Sequence, residues 1–447
     1  MEKTLSLALL LAVAPALAFA VPSADNEVRS GAPLQAPAAL EAARGFTPNE
    51  FEGTDVERIN RAIEAGVAVG GRVVVPRLNL GGGQRREVWL LDSAILLRSR
   101  TTLELDNCRI KLSDRCRDNF MRSANCGVGI TNIQPLQAIH IRGIGDAVLE
   151  GADHPRATGD SGKTLSVGEA IRPQKRWIPK SYGTDAAVAG ESQTGDWRNI
   201  GILLASVEDF SIEHLYINDS HAWAISLERC ARGTLRNLHF ASTQSRVIDG
   251  AEQLVLNQDG IDLREGCHDI VIENITGHTG DDLVALTAIP HKHKVAGTLG
   301  STEVSGSVAG PPGADDIRNV TLKNIRGYCA GGHHIVRFLN TPGVGLHDIL
   351  LDGLEDTSPT NVQCRAAVKI GDRAYGGGVA PLGTTSRIVI SNVVSKAKAA
   401  ILIGGSLCDS VLDHITHAGP TNEAVSMASG PENMRDVKIT NLKSGKP

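Results

Sequence analysis

Aromatic residues are scarce in this chain: 3% of 447 residues, with 7 Phe, 4 Tyr and 4 Trp. A core built on ring packing is excluded, so the interior must come from Val, Ile and Leu. A basic surplus is also missing, since the formal net charge is −5. Nucleic-acid binders carry a basic face, so no nucleic-acid partner is expected. The 8 cysteines, Cys108, Cys116, Cys126, Cys230, Cys267, Cys329, Cys364 and Cys408, lack metal-site spacing. Asn-Gly hairpin signals are rare, which counts against a β-sandwich, and the repeat described below is too short for a propeller blade.

The N-terminus has the pattern of a secretory signal. Lys3 supplies the positive end, Leu5 to Leu17 is apolar, and Ala18 and Ala20 give the small-x-small pattern before a cut near Ala20. Residues 1–20 are therefore expected to be a signal peptide. That implies a secreted or periplasmic protein with no membrane span, because no later stretch approaches spanning length. Residues 21–45, rich in Ala, Pro and Ser, read as a flexible leader. Export permits disulfides, and Cys108, Cys116 and Cys126 are near enough in sequence to pair. Burial as apolar side chains is the favoured state for the later cysteines.

Periodicity starts with a short amphipathic helix over 54–65. Thr54 or Asp55 can cap it, Gly66 ends it, and Val56, Ile59, Ala62 and Ile63 share one face. Gly70-Gly71 then leads into Val73-Val-Val-Pro76. From Leu103 a weak repeat takes over: apolar, any, apolar, any, then Asn, Gly or His, then apolar. Copies begin at Leu103, Ile139, Phe210, Ile270, Val320, Ile349, Ile388 and Val437. Alternation puts the apolar residues inward. The closing Asn tolerates the left-handed conformation and can hydrogen-bond along a stack. The expected fold is all-β: a right-handed parallel β-helix capped by the short N-terminal α-helix, since terminal repeats need a cover. Residues 46–447 would form one catalytic domain with loop insertions near 153–198 and 290–316. The first insertion carries Trp177, Tyr182 and Trp197, which suit stacking on sugars or simple anchoring. The second carries His291 and His293, which lack a third metal ligand and read as surface histidines.

Chemistry concentrates in Asn257–Thr287. Asp259 precedes Asp281 and Asp282 by about one coil of a β-solenoid, so the three acids are expected on one face. Paired carboxylates can perform acid–base chemistry at an acetal. Turn aspartates are the bland alternative. Asp262, Arg264 and Glu265 follow closely and either line the same face or, as the favoured reading, stand as solvated strand charges.

Asn257-Gln258-Asp259, Gly280-Asp281-Asp282 and Gly332-His333-His334 resemble the successive NTD, GDD and GHG signatures of glycoside hydrolase family 28, the polygalacturonase-like enzymes on a right-handed parallel β-helix. The likeness runs from about Phe46 onward. It implies inverting hydrolysis of a glycosidic bond in a pectic or other acidic polysaccharide or oligosaccharide. Asp281 would match the general acid. Asp259 and Asp282 would match the carboxylates that activate water, and His333 the histidine that tunes or orients the acid. Asn257, His334, Arg337 and Lys369 are the candidate substrate contacts. His334 stands where the family has glycine. The family's RIK motif is absent, leaving Lys369, Arg337 and Arg365 as basic candidates for a substrate carboxylate. The long insert between the second and third motifs is expected to wall one end of the cleft, favouring exo action or a short oligosaccharide. No cofactor or metal is expected, and the chain should be a monomer. Two other classes stay open: a lyase or epimerase on the same coil, with calcium held by the acids, and a non-catalytic glycan-binding β-helix.

Overall fold

The repeat stacks as its alternation requires. The computed structural model describes residues 45–127, 130, 132–155, 158, 197–290, 303–305, 311–373, 378–421 and 423–445. Within them a 14-stranded and a 10-stranded sheet are built from parallel pairs. The chain alternates between the two sheets, and each pass pairs with the previous one, as in a right-handed parallel β-helix. Inward positions such as Ile270, Ile272 and Ile275 are fully buried and stack coil upon coil. Each buried aliphatic side chain contributes about 1.5–3 kcal/mol. The predicted signal peptide and most of the leader lie outside the described residues, as do Trp177, Tyr182, His291 and His293. Among the described residues no helix is long and apolar enough to cross a membrane.

The long strands of the larger sheet carry two left-handed corners five residues apart. Asp269 and Asn274 form one pair, Asn319 and Asn324 the next, and Arg387 and Asn392 another. The second corner is the repeating Asn read from the sequence. Its side chains bond along the stack: Asn274 Nδ2 donates to Asn237 Oδ1 at 3.0 Å, and Asn324 Nδ2 to Asn274 Oδ1 at 3.1 Å. The first corner, held by Asp, Asn or Arg, has no such uniform residue and was not legible.

Two copies of the repeat were hidden. In the strand Ala231–Ala241, Gly233 replaces an apolar residue. Its register partner Phe210 fills that space, because a Cβ on Gly233 would lie 2.0 Å from the Phe210 ring. In Leu407–His417, Ser410 stands inward, its hydroxyl donating to the Cys408 carbonyl and accepting from the Ile388 N–H.

The N-terminal helix runs from Asp55 to Val69, four residues beyond the expected end. Gly66 does not stop it; a side chain there would press against Val73. Gly70, at φ 68°, forms the cap instead. At the other end Thr54 makes a capping box with Glu57. Val56, Ile59, Ala62 and Ile63 join the core over the first coils. All eight cysteines are buried free thiols, so Cys108, Cys116 and Cys126 do not pair. Several act as apolar fillers with a weak donor: Cys267 Sγ donates to the Leu227 carbonyl one coil back. One antiparallel hairpin, Ser245–Ile248 with Ala251–Leu254, turns at Asp249-Gly250.

Candidate active site

The smaller sheet positions the site through two columns of outward side chains. Ile225, Ile261, Val284 and Val336 are inward and in register. Two residues before each stand Trp223, Asp259, Asp282 and His334, which therefore stack. One residue after each stand Ser226, Asp262, Ala285 and Arg337, and Lys369 continues this second column. Members of each column stack because equivalent positions of successive coils lie one inter-strand step apart; the first column stands at the bend where each strand begins, and the second on the outward face of the strand itself. Gly280 allows the turn to close: a Cβ there would meet Gln258 Oε1 at 2.7 Å and the Gln244 backbone at 3.0 Å.

Carboxyl oxygens of Asp259, Asp281 and Asp282 lie within 4.8 Å of one another. The sequence spacing thus becomes a cluster. Asp259 Oδ1 accepts the backbone N–H of Asp282 at 2.8 Å, which ties the first coil's acid to the second. Asp282 is buried and held on both oxygens. Its Oδ1 lies 3.0 Å from both the backbone N and the ring Nδ1 of His334, and its Oδ2 accepts from Arg337 at 3.4 Å. Burial opposes its charge. His334, by charge and hydrogen bond, outweighs it together with Arg337 and His333, and the carboxyl sits well below the usual carboxylate range. Asp281 goes the other way. Burial first, then the charge of Asp282, pushes its carboxyl well above the usual range, and Arg337 offsets only part. Its side chain still keeps 20% of its surface open to the cleft.

The cleft, about 370 Å³, contains every sequence-predicted site residue: Asn257, Asp259, Asp281, Asp282, His333, His334, Arg337 and Lys369. His333 Nδ1 is 3.9 Å from Asp281 Oδ1, near but beyond hydrogen-bond distance. Burial lowers its pKa, with Asp282 opposing. His334 is buried and committed to Asp282, and its Nε2 has no hydrogen-bond partner among the described residues. Arg337 and Lys369 are lateral neighbours, and both pair with Asp372, Arg337 at 3.2 Å. A basic pair is thus assembled from two coils instead of one strand. Arg365 lines the same cleft and is exposed.

Sequence reasoning missed Trp223 and Asp372. Aligning the coils on Asp259 would have found Trp223, one coil earlier in the same column. Asp372 had a weaker signal, an acid three residues after Lys369. The expectation for Asp262, Arg264 and Glu265 needs correction, because none is solvated. Asp262 lies in the cleft floor beside Thr287, while Arg264 is covered by Glu303 and packs over the Trp223 ring at 4.8 Å. Burial then raises Glu265 to about 8, with Glu303 adding to the shift.

No family model matches the chain, and no curated protein matches it. Solved structures of similar chain course include a polygalacturonase from Erwinia carotovora ssp. carotovora, at 15% identity over 90% of this chain and 92% of that one, TM-score 0.48. An endo-xylogalacturonan hydrolase from Aspergillus tubingensis gives 13% identity over 90% and 93%, TM-score 0.49. PfbA, a surface adhesin of Streptococcus pneumoniae, gives 14% over 89% and 83%, TM-score 0.49.

Proposed function

We propose that the protein is an exported glycoside hydrolase that cleaves a pectic or other acidic polysaccharide. One observation carries this reading: Asp281 and Asp282 are adjacent, yet their surroundings drive them to opposite protonation states. A protonated carboxyl beside ionised ones is what acid–base cleavage of an acetal requires. Asp281 protonates the leaving oxygen. Asp259 and Asp282 activate water, with Asp282 kept charged by His334 and Arg337. Arg337, Lys369 and Arg365 supply cationic groups for a substrate carboxylate, and His333 orients or tunes Asp281 from 3.9 Å. The apolar N-terminal run, outside the described residues, supports export.

Inversion is the outcome implied by the family resemblance. Retention, with one carboxylate attacking directly, is the other stereochemical outcome open to a pair of acids. The test is product analysis on polygalacturonate with wild type and Asp281→Asn. New reducing ends that vanish in the variant support hydrolysis. An ultraviolet-absorbing unsaturated product in place of reducing ends would show a lyase and sink the reading. NMR of the first-formed anomer separates inversion from retention.

A further inference from the structure

We infer that the segment Glu303–Ser305 closes the upstream end of the cleft, so that the protein takes chain ends instead of cutting in mid-chain; this rests on the polysaccharide reading above. Two outward columns of the smaller sheet change character within one coil of each other. In the one through Asp262, Leu203 and Ser226 are fully buried, whereas Asp262, Ala285 and Arg337 line the cleft. In the next, Ala205, Glu228 and Arg264 are buried, whereas Thr287 and Leu339 line the cleft. Outward positions on a coil are ordinarily wet. Here they are dry because Val304, itself fully buried, packs with Trp197, Leu203, Ala205 and Trp223 in a second apolar cluster.

The segment is anchored by charge as well. Glu228 lies inside this cover and would be costly there without partners. Its carboxylate accepts the N–H groups of Val304 at 3.0 Å and Ser305 at 2.7 Å, and the Ser305 hydroxyl at 2.6 Å. Glu303 pairs with Arg264, and Arg264 stacks on Trp223. Trp223 is the cleft-lining residue one coil before Asp259, a step of about 4.8 Å. Only a short chain end fits between that wall and the three acids. Glu228, Arg264 and Glu303 thereby become specificity-determining residues without touching the reacting atoms.

Polygalacturonate and oligogalacturonides of defined length test this with wild type, Glu303→Ala and Glu228→Gln. The first substitution removes the tie to Arg264 and leaves the coil intact; the second preserves volume. Wild type should release one short product from the first minutes with little loss of viscosity. The variants, checked for unchanged folding by circular dichroism, should release a spread of lengths and lower viscosity several-fold faster per bond cleaved. A spread of lengths from wild type overturns the inference while leaving hydrolysis standing. Single-length products from both folded variants also overturn it. Absence of both cleavage and binding on every acidic polysaccharide tried overturns the proposed function, and this inference with it.

Discussion

The backbone N and the ring Nδ1 of His334 both lie 3.0 Å from a single oxygen of Asp282. An ionised carboxylate only accepts, so Nδ1 must carry the proton. The opposite ring nitrogen, Nε2, is buried without a partner among the described residues, so the ring is committed to Asp282 through Nδ1. His334 is thus a positioning residue for Asp282 more than a substrate contact. His334→Gln should raise the pKa of the base and move the acidic limb of the pH–rate profile upward. An unshifted limb, with kcat lowered uniformly, would mean that the contact is structural only.

Asp281→Asn should lower kcat by about 10²–10⁴-fold, the range of general acid–base catalysis, with substrate binding retained. Stability should respond with pH in a defined direction. The Asp281 pKa is raised in the fold, so wild type loses stability as pH rises from the unfolded value, about 3.9, through the folded one. Asp282 is depressed, so its contribution is present above about 3.9 and is lost on acidification. The variant should therefore melt higher than wild type at neutral pH, with the difference vanishing below pH about 3.9. Thermal melts across pH check both signs.

Lys369→Met should separate acidic from neutral substrates. A charge-assisted hydrogen bond contributes about 1.5–3 kcal/mol, so KM for a uronide should rise about 10–100-fold at nearly constant kcat. Arg337→Lys should lower kcat as well, because Arg337 also holds Asp282. Kinetics on polygalacturonate against a reduced, neutral counterpart decide the matter; equal losses on both would remove the carboxylate from the account.

Chelation should leave activity unchanged. The three acids are close enough to hold a cation, but both oxygens of Asp282 are already engaged by His334 and Arg337, and a guanidinium beside the cluster repels a divalent ion. Loss of activity in EDTA with recovery in calcium would restore the lyase reading.

Gly233→Ala should destabilise the coil, since the added Cβ collides with Phe210. Overpacking of this kind costs about 1–3 kcal/mol. Phe210→Leu should recover part of the loss in the double variant, measured by denaturant melts; additive losses would show that the two side chains do not share one volume.

The sequence carried the stacking of Asp259 on Asp282 because both facts behind it are local: an equivalent place at the start of two strands, and an uninterrupted coil of 23 residues between them. It carried Asn274 and Asn324 for the same reason, one residue type at one corner. It hid the strand containing Gly233, where volume had moved to a neighbouring coil as Phe210. It misjudged Arg264, which the three-dimensional return of Glu303 pairs and covers, and Glu265, which is fully buried beside it. The Arg337–Lys369–Asp372 group was invisible as a motif because its members come from two coils and meet only through register.

The ladder Asn237, Asn274, Asn324 joins residues 37 and then 50 apart in sequence with side-chain bonds of nearly equal length. Contour length and spatial separation are uncoupled along this corner. A chain built this way counts in rungs: material spliced between Ala288 and Ile317 leaves the placement of His333 over Asp281 unchanged, whereas one residue deleted from Val271–Glu273 turns a whole strand inside out. Variation in what the cleft accepts is therefore cheap at the loops and nearly forbidden on the rungs.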